Sequence, residues 1–239
     1  MTGNFPTVAV LGGTGSEGWG LGLRWASVGY PVIIGSRSVG RAADAAAEIE
    51  RITEANLNLL KEGPSAQSIF VRGMNNRDAA EACDIAVLTV PFAAQKSTIE
   101  EVQSALTGKI LVDVTVPLVP PKVLRVQLPD GGSAVAKIQE MLGDAVCVVS
   151  AFQNIAAAHL NDLDKDIDCD VLVCGNNKSA REDVIELAQA AGMRAWHGGP
   201  IANSAVAEAM TSLLLFINRN YGIDGSGFRI TGTPMKDKD

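Results

Sequence analysis

Three glycines follow the first apolar run of this chain at the spacing G-x-G-x-x-G. Gly13, Gly15 and Gly18 come directly after the β-branched run Val8–Leu11 and lead into Leu21–Ala26, which has helical character. We expect Gly13 to permit a tight turn, Gly15 to let a pyrophosphate approach the backbone, and Gly18 to let the helix pack on the strand. The free N–H groups and positive end of that helix would hold the anion. This context predicts a dinucleotide site rather than a plain glycine-rich turn.

The residues after the second apolar run distinguish NADP from NAD. Pro31–Gly35 is followed by Ser36, Arg37 and Arg41, and no Asp or Glu stands there to bind a ribose 2′-hydroxyl. A hydroxyl and two guanidinium groups suit a 2′-phosphate, which accepts charge-assisted and often bidentate hydrogen bonds. The sequence therefore favours NADP. The alternative interpretation is that the two arginines belong to a solvated helix start.

The segments that follow the later predicted strands are mostly apolar and braced by prolines. Ligands of an open α/β sheet bind outside the carboxyl ends of its strands, and these ends carry Pro91–Phe92, Thr115–Val119 and Gln153–Ile155. Such residues suit flat aromatic rings in a dry cleft, where hydride transfer relies largely on the alignment of the two rings. Amides cannot act as general acids at neutral pH, so we assign no catalytic residue. Gln153 and Asn154 are candidates for contact with the reacting groups, or else cap a helix at the strand exit.

Composition narrows the class of protein. With 239 residues, of which 47% are hydrophobic and 20% charged, the chain can form one large or two small globular domains. Its net charge of −7 argues against nucleic acid as a partner. No run of 18 apolar residues and no apolar leader at Met1–Pro6 are present, so we expect no membrane span and a cytoplasmic location. Four cysteines without a C-x-x-C pair and only two histidines make a metal site unexpected.

The order of the predicted elements indicates an α/β fold. Apolar runs and helical segments alternate after the second strand, which predicts a Rossmann-type, doubly wound parallel sheet. The pattern loosens beyond Phe152, so we expect a dinucleotide-binding domain over residues 6–152 and a smaller helical or α+β portion over 153–239, which would complete the substrate site and the subunit interface. The predicted strands are Val8–Leu11, Pro31–Gly35, Ser68–Val71, Asp84–Val90, Lys109–Val114, Val146–Ala151, Asp170–Cys174 and Arg194–Trp196.

The last predicted helix, Asn203–Asn220, is apolar on more than one side. Val206, Leu213 and Leu214 belong to one apolar stripe, and Phe216 adds apolar surface away from it. A helix of this kind must be buried on more than one side, either within the monomer or against a second subunit. We expect a homodimer through this helix.

Motifs along nearly the whole chain point to one family. They stand at Val10–Gly15, Ser36–Arg37, Asp78–Pro91, Val148–Phe152, Asp170–Gly175 and Gly199–Ser204. Together these motifs resemble those of the NADPH-dependent reductases of coenzyme F-420, an 8-hydroxy-5-deazaflavin with an oligoglutamate tail. The resemblance implies an oxidoreductase that transfers a hydride between NADP(H) and F-420.

The same resemblance implies which residues bind each ligand. The residues implied to bind NADP(H), from the pyrophosphate through the 2′-phosphate to the nicotinamide, are Gly13, Thr14, Gly15, Ser16, Glu17, Gly18, Ser36, Arg37, Arg41, Pro91, Phe92 and Ala157. The deazaflavin would stack above the nicotinamide near Gln153, Ile155 and the turn Gly225–Gly227, which contains Ser226. Gln153 and Ala156 stand where family members can carry His and Pro, and Glu54–Ser68 looks longer than in compact members.

Two other functions are consistent with the same motifs. The first is the NADP-dependent reduction of a small carbonyl or imine, which requires a proton donor facing the nicotinamide. The second is a non-catalytic NADP-binding sensor or interaction module, which would bind NADPH without reducing any acceptor.

Overall fold

A computed structural model describes residues 5–59 and 69–232, apart from the side chains of residues 57–59. Its strands are β1 (Val8–Leu11), β2 (Val32–Ser36), β3 (Val71–Asn75), β4 (Ile85–Leu88), β5 (Ile110–Asp113), β6 (Cys147–Ser150), β7 (Asp170–Gly175) and β8 (Arg194–Gly199). Its helices are α1 (Ser16–Ser27), α2 (Val39–Leu59), α3 (Asn76–Ala82), α4 (Phe92–Val102), α5 (Ala134–Leu142), α6 (Ala157–Leu160), α7 (Lys178–Ala190) and α8 (Ser204–Tyr221). Short 3-10 turns lie at Gln103–Ala105, Gly143–Ala145 and Ile201–Asn203.

The strands form one sheet in the order β3-β2-β1-β4-β5-β6-β7-β8. All neighbouring strands are parallel except β6 and β7, which pair antiparallel. The predicted doubly wound α/β fold is confirmed, with the difference that the sheet is mixed beyond β6. Residues 151–169 between β6 and β7 carry only the four-residue α6 instead of a crossover helix that spans the sheet, and such a connection suits an antiparallel neighbour. The strand order reverses between β1 and β4, which places a ligand cleft at their carboxyl ends.

The central strands are buried on both faces, as their continuous apolar runs predict. Successive side chains point to opposite faces of the sheet. Val10, Val87 and Val112 pack in the cluster formed with α1, α2 and α7. The cluster on the other face contains residues of α3, α4 and α5 together with Leu11, Leu88 and Leu111. The two layers hold the carboxyl ends of β1, β4 and β5 side by side.

The third strand lies later in the chain than Ser68–Val71, the range that the apolar pattern predicts. Val71 pairs with Val32, and the pairing continues to Asn75 opposite Ser36. An edge strand such as β3 is only half buried, so it tolerates the polar residues that ended the apolar pattern. Residues 60–68, which include most of the segment predicted to be longer than in compact family members, lie outside the described residues.

One side of α8 is buried in the monomer and the other is exposed. Leu214 faces the fold, whereas Val206, Leu213 and Phe216 are 56%, 47% and 50% exposed. The prediction that Leu213 and Leu214 share a stripe and that Phe216 lies away from it is wrong, because Leu214 is buried whereas Phe216 is exposed together with Leu213. The exposed stripe repeats at the three- to four-residue spacing of one helix face.

The segment Ile201–Tyr221 is long and apolar enough to cross a membrane by length and composition alone. Its Glu208 is only 1% exposed and accepts hydrogen bonds from Ala134 N, at 2.7 Å, and from Ser133 Oγ, at 2.6 Å. These contacts cap the N-terminus of α5. Segments that pack into a folded core in this way pass the same length and composition test, so the test does not indicate a membrane span.

Candidate functional site

Glycines shape the turn between β1 and α1. Gly12 adopts a left-handed φ of +80°, so the turn requires glycine at this position as well as at Gly13. A Cβ at Gly13 would lie 2.8 Å from Val10 O, and glycine is needed there for close packing. The amide of Gly12 donates to Asn76 Oδ1 at 3.2 Å. Asn76, a buried α3 residue that the sequence analysis did not single out, therefore fixes the turn.

Gly15 and Gly18 occupy positions that fit their expected roles. Among the described residues, a Cβ at Gly15 would have only Gly12 O within 4 Å, at 3.6 Å, so the backbone there is open to a ligand. A Cβ at Gly18 would lie 2.4 Å from Thr89 Oγ1, so its absence lets α1 pack against the end of β4. The N–H groups of the first turn of α1 lack intrahelical acceptors. This open cradle at a helix N-terminus fits a dinucleotide pyrophosphate.

Glu17 brings a carboxyl group into that first turn of α1. The residue keeps some exposed surface, but burial of its carboxyl raises its pKa to about 8. At pH 7 the group is therefore mostly protonated. A neutral Glu17 does not repel a phosphate bound at the helix N-terminus, so its presence is compatible with anion binding there.

The loop between β2 and α2 and the first turn of α2 each present one exposed guanidinium group, that of Arg37 and that of Arg41. Ser36 is buried, and its Oγ accepts from Ser38 N at 3.2 Å, while Ser38 Oγ accepts from Arg41 N at 3.4 Å. These bonds fold the loop and leave Arg37 and Arg41 exposed. Within the described ranges, neither arginine forms an ion pair with a carboxylate. The loop therefore fits a 2′-phosphate, and Ser38 is a member of it that the sequence analysis missed.

The residues expected along the nicotinamide flank the same turn. Pro91 caps α4, Phe92 is the first residue of that helix, and both follow β4 at the switch point. Val90 Cγ1 lies 2.6 Å from the position of a Cβ at Gly12, which brings the end of β4 against the glycine turn. Ala157 begins α6, which packs on α1. The structure thus places Pro91 and Phe92 directly after the β4 residue that contacts the glycine turn, and Ala157 on a helix that packs on α1.

Gln153 is held at the carboxyl end of β5. Its Nε2 donates to Asp113 O at 2.8 Å, and Thr211 Oγ1 of α8 donates to Gln153 O at 2.7 Å. Its Oε1 is buried and has no hydrogen-bond partner among the described residues. A buried acceptor without a partner has a desolvation cost, so this amide is suited to receive a donor from a ligand.

Asn154 points to a different part of the fold. Its Nδ2 donates to Asp170 O at 2.8 Å and to Cys169 Sγ at 3.0 Å, so it holds the start of β7. The chain turns between β6 and this residue at Phe152, a non-glycine residue with φ of +73°. Gln153 and Asn154 are both predicted to contact the reacting groups, but the structure separates them: of the two, Gln153 bonds to β5 and Asn154 to β7. Neither amide caps α6, because the N-cap residue of that helix is Ala156 and no side chain caps it among the described residues.

The turn Gly225–Gly227, which the resemblance assigns to the deazaflavin site, lies against the start of α6. A Cβ at Gly225 would lie 2.7 Å from Ala156 Cβ, and a Cβ at Gly227 would lie 2.5 Å from Cys169 Sγ. Within the turn, Ser226 Oγ donates to Leu214 O at 3.3 Å and its backbone N–H donates to Asn218 Oδ1 at 2.8 Å. The hydroxyl proton of Ser226 is thus donated to α8, and the hydroxyl oxygen can still accept a hydrogen bond.

A buried carboxylate lies beside the candidate cleft. Asp113 Oδ2 accepts from Gln95 Nε2 at 2.7 Å, and Asp113 Oδ1 accepts from Thr115 N at 2.9 Å. Burial raises the pKa of Asp113 to about 6. The group joins α4, which begins at Phe92, to the loop after β5. The sequence analysis missed it; a lone acid at the end of an apolar strand was the available signal.

Comparisons with known proteins agree with this geometry. The family model described as NADP oxidoreductase coenzyme F420-dependent matches residues 7–117. The F420-dependent NADP reductase of Methanocaldococcus jannaschii is 41% identical over 228 residues, which cover 94% of this chain and 97% of that protein. The reductase of the same name from Methanothermobacter marburgensis is 38% identical over 232 residues, covering 95% and 99%.

Solved structures share the fold. A crystal structure of an Arthrobacter sp. FB24 protein described as an F420-dependent NADP reductase superposes with a TM-score of 0.73 at 24% identity, over 95% of this chain and 100% of that chain. An imine reductase from Myxococcus stipitatus superposes with a TM-score of 0.56 at 18% identity, over 91% of this chain and 61% of that chain. Because the family model matches and the similarity to the two archaeal reductases is nearly full-length, this chain belongs to the family of F420-dependent NADP oxidoreductases.

Proposed function

We propose that this protein transfers a hydride between NADP(H) and F-420. The observation that carries the proposal is the similarity to F420-dependent NADP reductases over nearly the whole of both chains. The open cradle at Gly15 supports a bound pyrophosphate, and the exposed Arg37 and Arg41 support a 2′-phosphate. NADP(H) and F-420 supply the hydride chemistry themselves, so the chain's task is to bind and align them.

The loop after β5 supports an aromatic partner for the nicotinamide. Val119, Val126 and Leu128 in this loop are exposed apolar residues, close in sequence to Thr115 at the strand end. Exposed apolar side chains grouped beside a cleft are typical of a ligand site. Pro91 and Phe92 would bound the same cleft from the side of β4. We place the deazaflavin between these walls and Gln153–Ile155.

The proposed activity has a direct optical test. Purified protein mixed with NADPH and oxidised F-420 should bleach the visible absorbance of the deazaflavin, and heat-denatured protein should not. A protein that leaves F-420 unchanged but oxidises NADPH with a small carbonyl or imine would support the alternative reductase. A protein that binds NADPH and turns over neither class of acceptor would support a sensor or interaction module.

Replacing Gln153 with leucine should lower turnover about tenfold, which corresponds to about 1.4 kcal/mol of lost transition-state stabilisation. Gln153 Oε1, which has no partner among the described residues, would accept a hydrogen bond from an N–H of the deazaflavin and hold its ring in the reactive position, whereas the stacking of the two rings persists in the variant. The measurement is kcat for F-420 reduction at saturating NADPH. Asn154→Leu is not an equivalent control because that amide holds β7; Thr211→Val, which removes the bond to Gln153 O, is the closer comparison. A loss of several orders of magnitude in Gln153→Leu would contradict a chemistry based on alignment.

NADPH binding should weaken as the pH rises through about 8, the pKa of Glu17. Above that pH the carboxyl is ionised and repels the pyrophosphate, and we expect about a fivefold rise in Kd between pH 7 and pH 9. Because the pKa of the folded state lies above the ordinary value of 4.5, the free energy of unfolding also falls as the pH rises between these two values. Glu17→Gln should bind NADPH equally at pH 7 and pH 9. If Glu17→Gln showed the same rise in Kd between pH 7 and pH 9 as the wild type, Glu17 would be ruled out as the source of the pH dependence.

We also propose that the protein is a homodimer through the exposed face of α8. Val206, Leu213 and Phe216 form that face, and the exposed Tyr221 extends it at the end of the helix. Exposed apolar side chains that are contiguous mark interaction sites more often than scattered ones do. A second copy of the chain would present the same stripe, which suits a two-fold interface.

Phe216→Glu should convert the dimer to a monomer, because it would bury an unpaired charge at the interface. Light scattering at micromolar concentration should give about twice the chain mass of 25.0 kDa for the wild type and about that mass for the variant. Val28→Glu is the matched control, since Val28 is 46% exposed and lies at the end of α1. A wild-type protein that scatters as a monomer would contradict the proposed interface.

A further inference from the structure

The segment that follows α6 lies very close to α1, the helix whose N-terminus would hold the pyrophosphate. A Cβ at Gly20 would lie 2.4 Å from Asn161 Oδ1 and 2.6 Å from Leu160 Cβ. Real side chains do not tolerate such distances, so only glycine at this position lets the two segments approach to this extent. The approach places Asn161 beside the first turn of α1.

Arg24, one turn after Gly20 on the same face of α1, also holds this segment. Its guanidinium is buried and donates to the backbone carbonyl oxygens of His159, Leu160, Asp162, Lys165 and Ala191. A planar group with several donors in fixed directions specifies the path of the chain it binds. The position of Asn161 relative to α1 is therefore determined by buried contacts on both sides of it.

Asn161 contacts the first residue of α1 directly. Its Nδ2 donates to Ser16 Oγ at 2.8 Å, across 145 positions of sequence. A serine hydroxyl has one proton and two lone pairs. Since Ser16 Oγ accepts from Asn161, its own proton stays available for another acceptor. Ser16 is exposed at the open end of the helix, where the N–H groups of the first turn also lack acceptors.

We propose that Asn161 is a positioning residue for the pyrophosphate of NADP(H). By donating to Ser16 Oγ, the amide turns the hydroxyl proton outward, to where a phosphate oxygen would lie. In a chain that runs from amide to hydroxyl to phosphate, each hydrogen bond polarises the next in the same sense. The inference rests on the proposed dinucleotide site at α1, and it adds a residue from the C-terminal half of the chain to that site.

Binding measurements on single and double variants test this role. We expect Asn161→Leu to raise the Kd for NADPH about threefold to tenfold, the range for the loss of one hydrogen bond. A titration followed by nicotinamide fluorescence measures this Kd. Ser16→Ala should weaken NADPH by a similar factor. In the Ser16→Ala background, Asn161→Leu should change Kd less than twofold, because the hydroxyl through which it acts is gone. Independent, multiplicative losses in the double variant would overturn the proposal.

A second substitution tests the direction of the hydrogen bond. In Asn161→Asp, the carboxylate accepts the Ser16 proton and so turns the hydroxyl away from the phosphate. It also adds a negative charge near an anion. We expect Asn161→Asp to weaken NADPH binding more than Asn161→Leu does. A variant that bound NADPH as tightly as the wild type, or more tightly, would overturn the proposal.

A control separates positioning from loss of stability. Asn177 caps α7 by accepting from Ala180 N at 2.9 Å, so Asn177→Ala should lower the melting temperature and leave the Kd for NADPH unchanged. Absence of NADPH binding in the wild type would overturn the proposed site and this inference together. Wild-type binding with an unchanged Kd in Asn161→Leu would overturn this inference alone.

Discussion

Replacing Arg37 with alanine should weaken NADPH binding about 10- to 100-fold and leave NADH binding unchanged. The expected loss is that of a hydrogen bond between charged groups, about 1.5–3 kcal/mol, and the exposure of Arg37 favours the lower half of that range. NADH lacks the 2′-phosphate and would not contact the guanidinium. Equilibrium titrations of both nucleotides against wild type and variant measure the two effects separately.

The control for Arg37 is an arginine on the neighbouring helix. Arg51 of α2 is also exposed, but it pairs with Glu48 at 2.7 Å, and Arg51→Ala should change the Kd for NADPH less than twofold. Raising the salt concentration should reduce the difference between Arg37→Ala and wild type, because an exposed charge pair is screened. Wild-type protein that binds NADH as tightly as NADPH would contradict the assignment of this loop to the 2′-phosphate.

Replacing Gly73 with alanine should lower the free energy of unfolding by about 2–4 kcal/mol. A Cβ on this β3 residue would lie 2.3 Å from the backbone of Ala42 and Ala43 in α2. Backbone atoms of a helix cannot move aside singly, so the whole first turn of α2 must shift. That turn carries Arg41, and the affinity for NADPH should therefore fall as well. Urea unfolding and NADPH titration of the same sample measure the two consequences.

Gly40, in the first turn of α2, provides the matched control. A Cβ there would have no heavy atom of the described part of the chain within 4 Å, so Gly40→Ala should raise stability by about 0.5–1 kcal/mol, the ordinary gain of alanine over glycine in a helix. Gly73→Ala is thus predicted to lower the free energy of unfolding and Gly40→Ala to raise it. If Gly73→Ala proved as stable as the wild type, the close crossing of α2 over β3 would be contradicted.

The prediction of the cofactor half of the site rests on local features of the sequence. The glycine run after β1 and the Ser36–Arg37 pair after β2 act through backbone geometry and charge within a few residues of each other. The β-branched runs likewise identified the buried strands. Even here neighbouring contacts changed details: the positive φ is at Gly12, and β3 runs to Asn75 because pairing with β2 fixes its bounds.

The second half of the site depended on contacts that no local pattern contains. Gln153 and Asn154 are adjacent amides, yet one bonds to β5 and the other to the start of β7, because the chain turns sharply after β6. The bond from Asn161 to Ser16 joins residues 145 positions apart. By itself, then, the sequence determined the dinucleotide cradle, whose geometry is local. Only the tertiary structure decided which amide bonds to β5 and which side of α8 is exposed, because those depend on how distant elements pack.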